Sequence, residues 1–146
     1  MRREYFTLST RVPGTSDDVG TPRLDVTYDG PADELQDALT DDAGEPLPAE
    51  AIDVTCRLQD DGGEATCVVG LTHRLTGEFL LEFNAAAGDV LDVVEAARRG
   101  EEDGSYRVSI TAANAEYEYD METLLVYDAD GSLLRRQSLI PSGVEL

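Results

Sequence analysis

Two alternating apolar runs flank an Asp-Gly pair between Val54 and Val69, and this feature constrains the fold of the chain more than any other. Its centre is the stretch Cys56 to Cys67, CRLQDDGGEATC. Asp-Gly between such runs is a hairpin signal, because glycine accepts the positive φ that a tight primed turn requires. With the turn centred on Asp61-Gly62, Cys56 stands opposite Cys67. Val54, Cys56 and Leu58 then share a face with Ala65, Cys67 and Val69, while Thr55, Arg57, Gln59, Glu64 and Thr66 take the other. A three-residue turn using Gly63 slips the register by one.

Both cysteines therefore fall on the apolar face. Directly opposed residues lie within disulfide reach, but counting outward from a two-residue turn makes this a hydrogen-bonded pair, the wider kind. A zinc site needs about four ligands, and the lone histidine, His73, does not complete one. A reactive thiolate needs exposure and a positive neighbour, and an apolar strand face supplies neither. Reduced core packing is the expectation, with a cross-strand disulfide as the alternative.

The period of two recurs elsewhere. Phe6, Leu8 and Val12 alternate with Thr7, Ser9 and Arg11, and Leu24, Val26 and Tyr28 with Asp25 and Thr27. After a turn through His73-Arg74-Leu75-Thr76-Gly77, Phe79, Leu81 and Phe83 share one side of a third meander strand. Tyr106, Val108 and Ile110 mark a strand over Gly104 to Ala112. Tyr117, Tyr119, Met121, Leu125 and Tyr127 then face one way, against Glu116, Glu118, Asp120 and Glu122. That strand turns at Asp128-Ala129-Asp130-Gly131 into another over Ser132 to Ile140, which Pro141 ends.

Two segments have helical spacing instead. Val90, Leu91, Val93, Val94 and Ala97 form a stripe in a helix over about 86–99, capped by Asn84 or Asp89 and closed by Arg98-Arg99-Gly100. Gly30-Pro31, the acids Asp33 and Glu34, and then Leu35, Ala38 and Leu39 give a shorter helix over about 31–40. Thr40 to Glu50, with Gly44, Pro46 and Pro48, is a connection. The expected fold is one α+β domain over residues 1–146, built on a predominantly antiparallel sheet of about seven strands joined as β-meander hairpins.

Charge supplies the environment. The 146 residues carry 31 acids and 11 bases, all arginine, for a net charge of -20. At ordinary ionic strength such one-signed charge strains a compact state, whereas molar salt shrinks the Debye length to about 3 Å. The acids are scattered among apolar positions, as in a folded, salt-adapted protein rather than a disordered tail. No apolar run follows the charged N-terminus or approaches the ~18 residues of a membrane span, so the expected location is the cytoplasm, without membrane contact.

The chemical motifs are few. Asp128 to Ser132 imitates a calcium loop, but with Gly131 at its sixth position, Val126 and Gln137 would fall where carboxylates are required, so a plain turn is expected. No phosphate loop, nucleophile elbow, paired-histidine helix or Cys-x-x-Cys motif occurs. His73 as a base would need Ser109 or Ser138 brought beside it by folding. Arg2-Arg3, Arg98-Arg99 and Arg135-Arg136 are the concentrated positive features, and high salt weakens nucleic-acid binding through them. No catalytic, cofactor-binding or metal residue is assigned.

The lysine-free acidic chain and the stretches LTHRLTGEFLLEFNA and EYEYDMETLLVYDADGSLLRRQSLIPSGVEL resemble a family of small acidic haloarchaeal proteins that is a domain of unknown function. That resemblance implies a source and a single domain, and no chemistry. The expectation for function is a protein-interaction or regulatory module without catalytic activity, with an unidentified protein partner or a homo-oligomer. The alternative is a small-molecule binder or enzyme with a pocket between the sheet and the helix over 86–99.

Overall fold

The alternating runs become eight strands in a computed structural model that describes residues 3–12, 21–59, 66–99, 105–113 and 115–140. In chain order the elements are β1 (Phe6–Arg11), β2 (Arg23–Tyr28), α1 (Ala32–Ala38), β3 (Ile52–Gln59), β4 (Thr66–His73), β5 (Phe79–Ala86), α2 (Ala87–Arg99), β6 (Tyr106–Thr111), β7 (Glu116–Met121) and β8 (Leu125–Tyr127). Single 3-10 turns at Arg3–Tyr5 and Ala49–Ala51 precede β1 and β3.

The strands form two four-stranded sheets, β1-β2-β6-β7 and β5-β4-β3-β8. Neighbours pair antiparallel except β2 with β6 and β3 with β8, which are parallel. Alternation reports which face a strand buries but not which distant strand lies beside it, so the expected single sheet resolves into two. Their edges β1 and β5 lie against each other, with the Phe6 and Phe83 ring centroids 5.8 Å apart. The inward rows Leu24, Val26 and Tyr28, Val54 and Cys56, Val69 and Leu71, and Val108 and Ile110 merge into one core.

The helix α2 packs against β1, β2, β4 and β5 and so bridges the sheets. Its valines are poor helix formers. Val90, Val93, Val94 and Ala97 are nonetheless buried, and each valine so removed from water is worth about 1.5–3 kcal/mol, which exceeds the propensity cost. The helix starts directly after β5: Asn84 belongs to β5 and Asp89 to the first helical turn, so neither is the cap. The shorter helix spans seven residues behind Pro31, with Leu35 buried.

Other expectations are corrected. In the β3–β4 pair Cys56 stands opposite Val69 and Cys67 opposite Leu58, two residues from the expected register. A shift of two preserves the side-chain period, so both cysteines still face the core, as diagonal neighbours. The turn expected at Asp61-Gly62 lies outside the described residues. Phe79 does not join Leu81 and Phe83 in the core, because a β-bulge opposite Leu71 and Thr72 turns it outward, where it is 70% exposed.

The long strand from Glu116 to Tyr127 is two strands in different sheets. The break at Glu122-Thr123 moves the inward positions from Tyr119 and Met121 to Leu124 and Val126, so Leu125 and Tyr127 face outward. Ser132 to Ile140 is no strand either. It touches the second sheet by single bridges at Tyr127↔Leu133 and Leu124↔Leu139, with a turn between them. Ser138 anchors that turn: its hydroxyl accepts the Val126 N–H at 2.8 Å and donates to the Leu134 carbonyl at 2.8 Å.

Candidate functional site

The polar residues that could carry chemistry are occupied by backbone. Asp128 Oδ1 accepts the amides of Asp130 at 2.9 Å and Ser132 at 2.8 Å, while the Gly131 N–H closes onto the Asp128 carbonyl at 3.0 Å. This is the plain turn expected. Asp41 repeats it, taking the amides of Ala43 and Glu45 at 2.9 Å each. Gly131 and its counterpart Gly44 have φ of 88° and 81°, the left-handed backbone both turns require.

His73 plays the same part with a ring nitrogen. It ends β4, half-buried, and its Nδ1 accepts the amides of Leu75 at 3.3 Å and Thr76 at 3.4 Å, within a turn closed by the Gly77 N–H on the His73 carbonyl. Folding brings neither serine hydroxyl to it: Ser138 is bonded to Val126 and Leu134, and Ser109 reaches Glu116 at 3.5 Å.

Cys56 and Cys67 are reduced and buried. Their thiols share a hydrogen bond, which together with burial pushes the Cys56 thiol up, so it keeps its proton. A diagonal pair is spaced about 7–8 Å between Cα atoms, beyond the usual disulfide span. Tyr106, fully buried, donates to the Thr123 carbonyl at 2.7 Å. Tyr119 has no partner for its buried hydroxyl, and burial, followed by Tyr117 nearby, pushes it up to about 12.

Of the arginine pairs, Arg3 binds Glu82 at 2.9 Å and Arg98 donates to the Ser138 carbonyl, tying α2 to the last turn. Arg135 and Arg136 are exposed. Among the described residues no group of three or more His, Cys, Asp or Glu is arranged to hold a metal, and no helix is long and apolar enough to cross a membrane. Val90, Val93 and Val94 of α2 are buried where the helix packs on the sheets. A concavity of about 260 Å³ is lined by Ala32, Leu35 and Gln36 of α1, Ala112 and Ala115 of the connection between β6 and β7, and Tyr117 of β7.

What remains is surface, and the two outward sheet faces differ. On the first sheet, the register aligns Arg11, Arg23, Arg107 and Asp120 in one row, Ser9, Asp25, Ser109 and Glu118 in the next, and Thr7, Thr27, Thr111 and Glu116 in the third. The face is wholly polar. Ion pairs cross it: Arg11–Asp25 at 3.4 Å, Arg23–Asp25 at 3.1 Å, Arg23–Glu118 at 3.9 Å, Arg107–Glu118 at 3.8 Å and Arg107–Asp120 at 2.8 Å.

On the second sheet, Leu125, Thr55, Gly70 and Glu82 form one outward row and Tyr127, Arg57, Val68 and Asn84 another. The Phe79 ring leans over Gly70, its edge 3.7 Å from where a Cβ would stand, with the Thr55 hydroxyl 3.2 Å from the same point. An aromatic covering a strand glycine restores packing that the glycine lacks. Beyond it, Leu75 at the β4–β5 turn is 88% exposed. The sequence hid this patch, since alternation placed Phe79 inside; Leu75 within a turn was the one visible signal.

An α+β core of two sheets, one polar outward face crossed by ion pairs and one partly apolar, in a chain of net charge -20, defines a small acidic α+β domain. The chain belongs to DUF5793, a family of unknown function, which it matches over residues 1–146. No curated protein and no solved structure matches it.

Proposed function

We propose that this chain is a salt-adapted cytoplasmic module that works by binding another protein surface rather than by catalysis, in a haloarchaeal setting. The observation that carries this reading is the pair Leu75 and Phe79, large apolar side chains exposed on one hairpin of a chain whose net charge is -20. Large apolar side chains left exposed are candidates for interaction sites, and exposing Phe79 requires a bulge that turns it away from the core. The commitment of His73 Nδ1, Asp41 and Asp128 to turn amides supports the same reading. Affinity capture from cells at native salt tests it: the chain should retain a partner, a His73→Gln variant should retain the same one, and Phe79→Asp should lose it. A measurable turnover abolished in a folded His73→Gln variant would overturn the non-catalytic reading.

The concavity beside α1 keeps a second reading, a small-molecule binder, because Gln36 and Tyr117 offer polar groups above the apolar Leu35 and Ala112. A ligand found by thermal-shift screening whose effect disappears in Gln36→Leu would favour it.

A further inference from the structure

We infer that the concavity between α1 and the start of β7 binds a small uncharged amide, held on its polar edge by Gln36 and Tyr117, whose carbonyl gives the Tyr119 hydroxyl an acceptor. The inference rests on the small-molecule reading and names its ligand class.

The site is defined by the polar groups that the fold leaves over. Around the concavity the backbone is committed: the Leu35 and Gln36 carbonyls accept the Leu39 N–H at 3.1 and 3.3 Å, the Gln36 carbonyl also takes the Thr40 hydroxyl at 2.8 Å, and the Ala112 N–H closes onto the Ala115 carbonyl at 2.8 Å. The side chains are not. Of the described lining residues only Gln36 and Tyr117 have polar side chains, and neither the amide nor the phenol is hydrogen-bonded to another described residue.

A third polar group is buried next to them. Tyr119 is the next inward residue of β7, 4% exposed and close enough to Tyr117 for that phenol to act on its ionisation, and its hydroxyl has no partner. An unpaired buried hydroxyl carries its desolvation cost until an acceptor reaches it.

These groups select the ligand. The Gln36 side chain presents a donor and an acceptor in one plane, and the complement of that edge is a second amide; a phenol hydroxyl donates to its carbonyl. No charged side chain stands among the described lining residues, so an ion would shed its water there without compensation, and an anion would also meet a chain of net charge -20. Leu35 with Ala32, Ala112 and Ala115 receives a small apolar body. The volume of about 260 Å³ falls below that of sites for drug-sized ligands, which suits roughly ten non-hydrogen atoms and a dissociation constant of about 0.1–10 mM.

Benzamide, benzoate and benzamidinium share one shape and differ in charge. Titrating the full chain with each to about 20 mM in about 2 M salt, followed by backbone-amide NMR shifts, tests the inference. Benzamide should shift amides within residues 32–36 and 115–119 with a dissociation constant of about 1 mM, and both ions should bind at least about 10-fold more weakly. Gln36→Leu should weaken benzamide by about 10-fold or more, and Tyr119→Phe, which removes one hydroxyl and keeps the ring, by about 3- to 10-fold. Benzamide that leaves these amides unshifted overturns the inference, as does an ion that binds as tightly or a benzamide affinity unchanged by either variant. A ligand of another class that requires Gln36 where benzamide fails leaves the small-molecule reading standing; a concavity that takes no ligand from a broad screen sinks both.

Discussion

The two sheets share one construction and present opposite exteriors. Both bury a period-two apolar row in a common core, and each holds one parallel pair among antiparallel neighbours. Outside, the first sheet is a grid of arginine, serine, threonine and carboxylate tied by ion pairs, whereas the second carries Phe79, Leu125 and Tyr127 beside Thr55, Gly70 and Arg57. Burial alone does not require this difference, since either exterior satisfies the fold. It separates a surface whose charges are tied to one another from one with exposed apolar area at Phe79.

The largest expected effect is on salt. The acidic edge strand β7 presents Glu116, Glu118 and Asp120 on the outward face, where Arg23 and Arg107 pair with Glu118 and Asp120 and the Ser109 hydroxyl reaches Glu116. Lowering salt from molar to about 0.1 M lengthens the Debye length to about 10 Å and should lower the unfolding temperature by about 10 °C or more. Hydrogen exchange sharpens the contrast: amides of β6 and β7 should lose protection before those of β3 and β4. An unfolding temperature indifferent to salt breaks the salt-adaptation argument, and uniform loss of protection breaks the distinction between the sheets.

How much of this was legible follows from the range of each signal. The core-facing residues of β2, β3, β4 and β6 could be read because alternation is local. Cys56 and Cys67 kept their face despite a wrong register because the shift was an even number of residues. The sheet partners could not be read, because β2 beside β6 and β3 beside β8 join residues 84 and 70 positions apart with no local signature. Phe79 was misplaced for a third reason: a bulge adds one residue and inverts the pattern after it, and nothing in Glu78-Phe79-Leu80 distinguishes a bulged strand from a regular one. The change from odd to even positions at Glu122-Thr123 belongs to the same class of event, a phase break where the chain passes between sheets. The role of His73 was half legible: its place beside a turn was visible, but its Nδ1 acting as an aspartate-like acceptor needed the geometry.

A smaller effect lies inside the first sheet. Tyr119 buries a hydroxyl with no partner, and Tyr119→Phe should stabilise the protein by about 1 kcal/mol, since an unpaired buried polar group costs about 1–3 kcal/mol. The hydroxyl also sets an alkaline limit. Tyrosine in the unfolded chain ionises near 10, and in the fold Tyr119 is held up to about 12, first by burial and then by Tyr117. Its contribution is therefore fully present below about pH 10 and is lost as pH rises from there to about 12. Chemical denaturation across that window should show stability falling less steeply in Tyr119→Phe; an identical slope would mean that the hydroxyl finds a partner.

The smallest expected effect discriminates between the exteriors most directly, because it compares one arginine from each. Arg107 lies between Asp120 at 2.8 Å and Glu118 at 3.8 Å, with side chains from 36% to 70% exposed, and such pairs are worth at most about 1 kcal/mol. Arg74 binds Asp53 at 2.9 Å and also donates to the Ile52 carbonyl at 3.3 Å, a backbone bond that salt screens less than an ion pair. In molar salt, Arg107→Ala should therefore cost close to nothing and Arg74→Ala about 0.5–1 kcal/mol. At about 0.1 M salt the order should reverse, because removing Arg107 leaves two neighbouring carboxylates on an acidic strand facing each other with weaker screening, whereas removing Arg74 frees only Asp53. Denaturation midpoints of the two variants, measured at both salt concentrations, should cross. Parallel responses would mean that the charge surroundings of the two faces do not differ in energy as they do in composition.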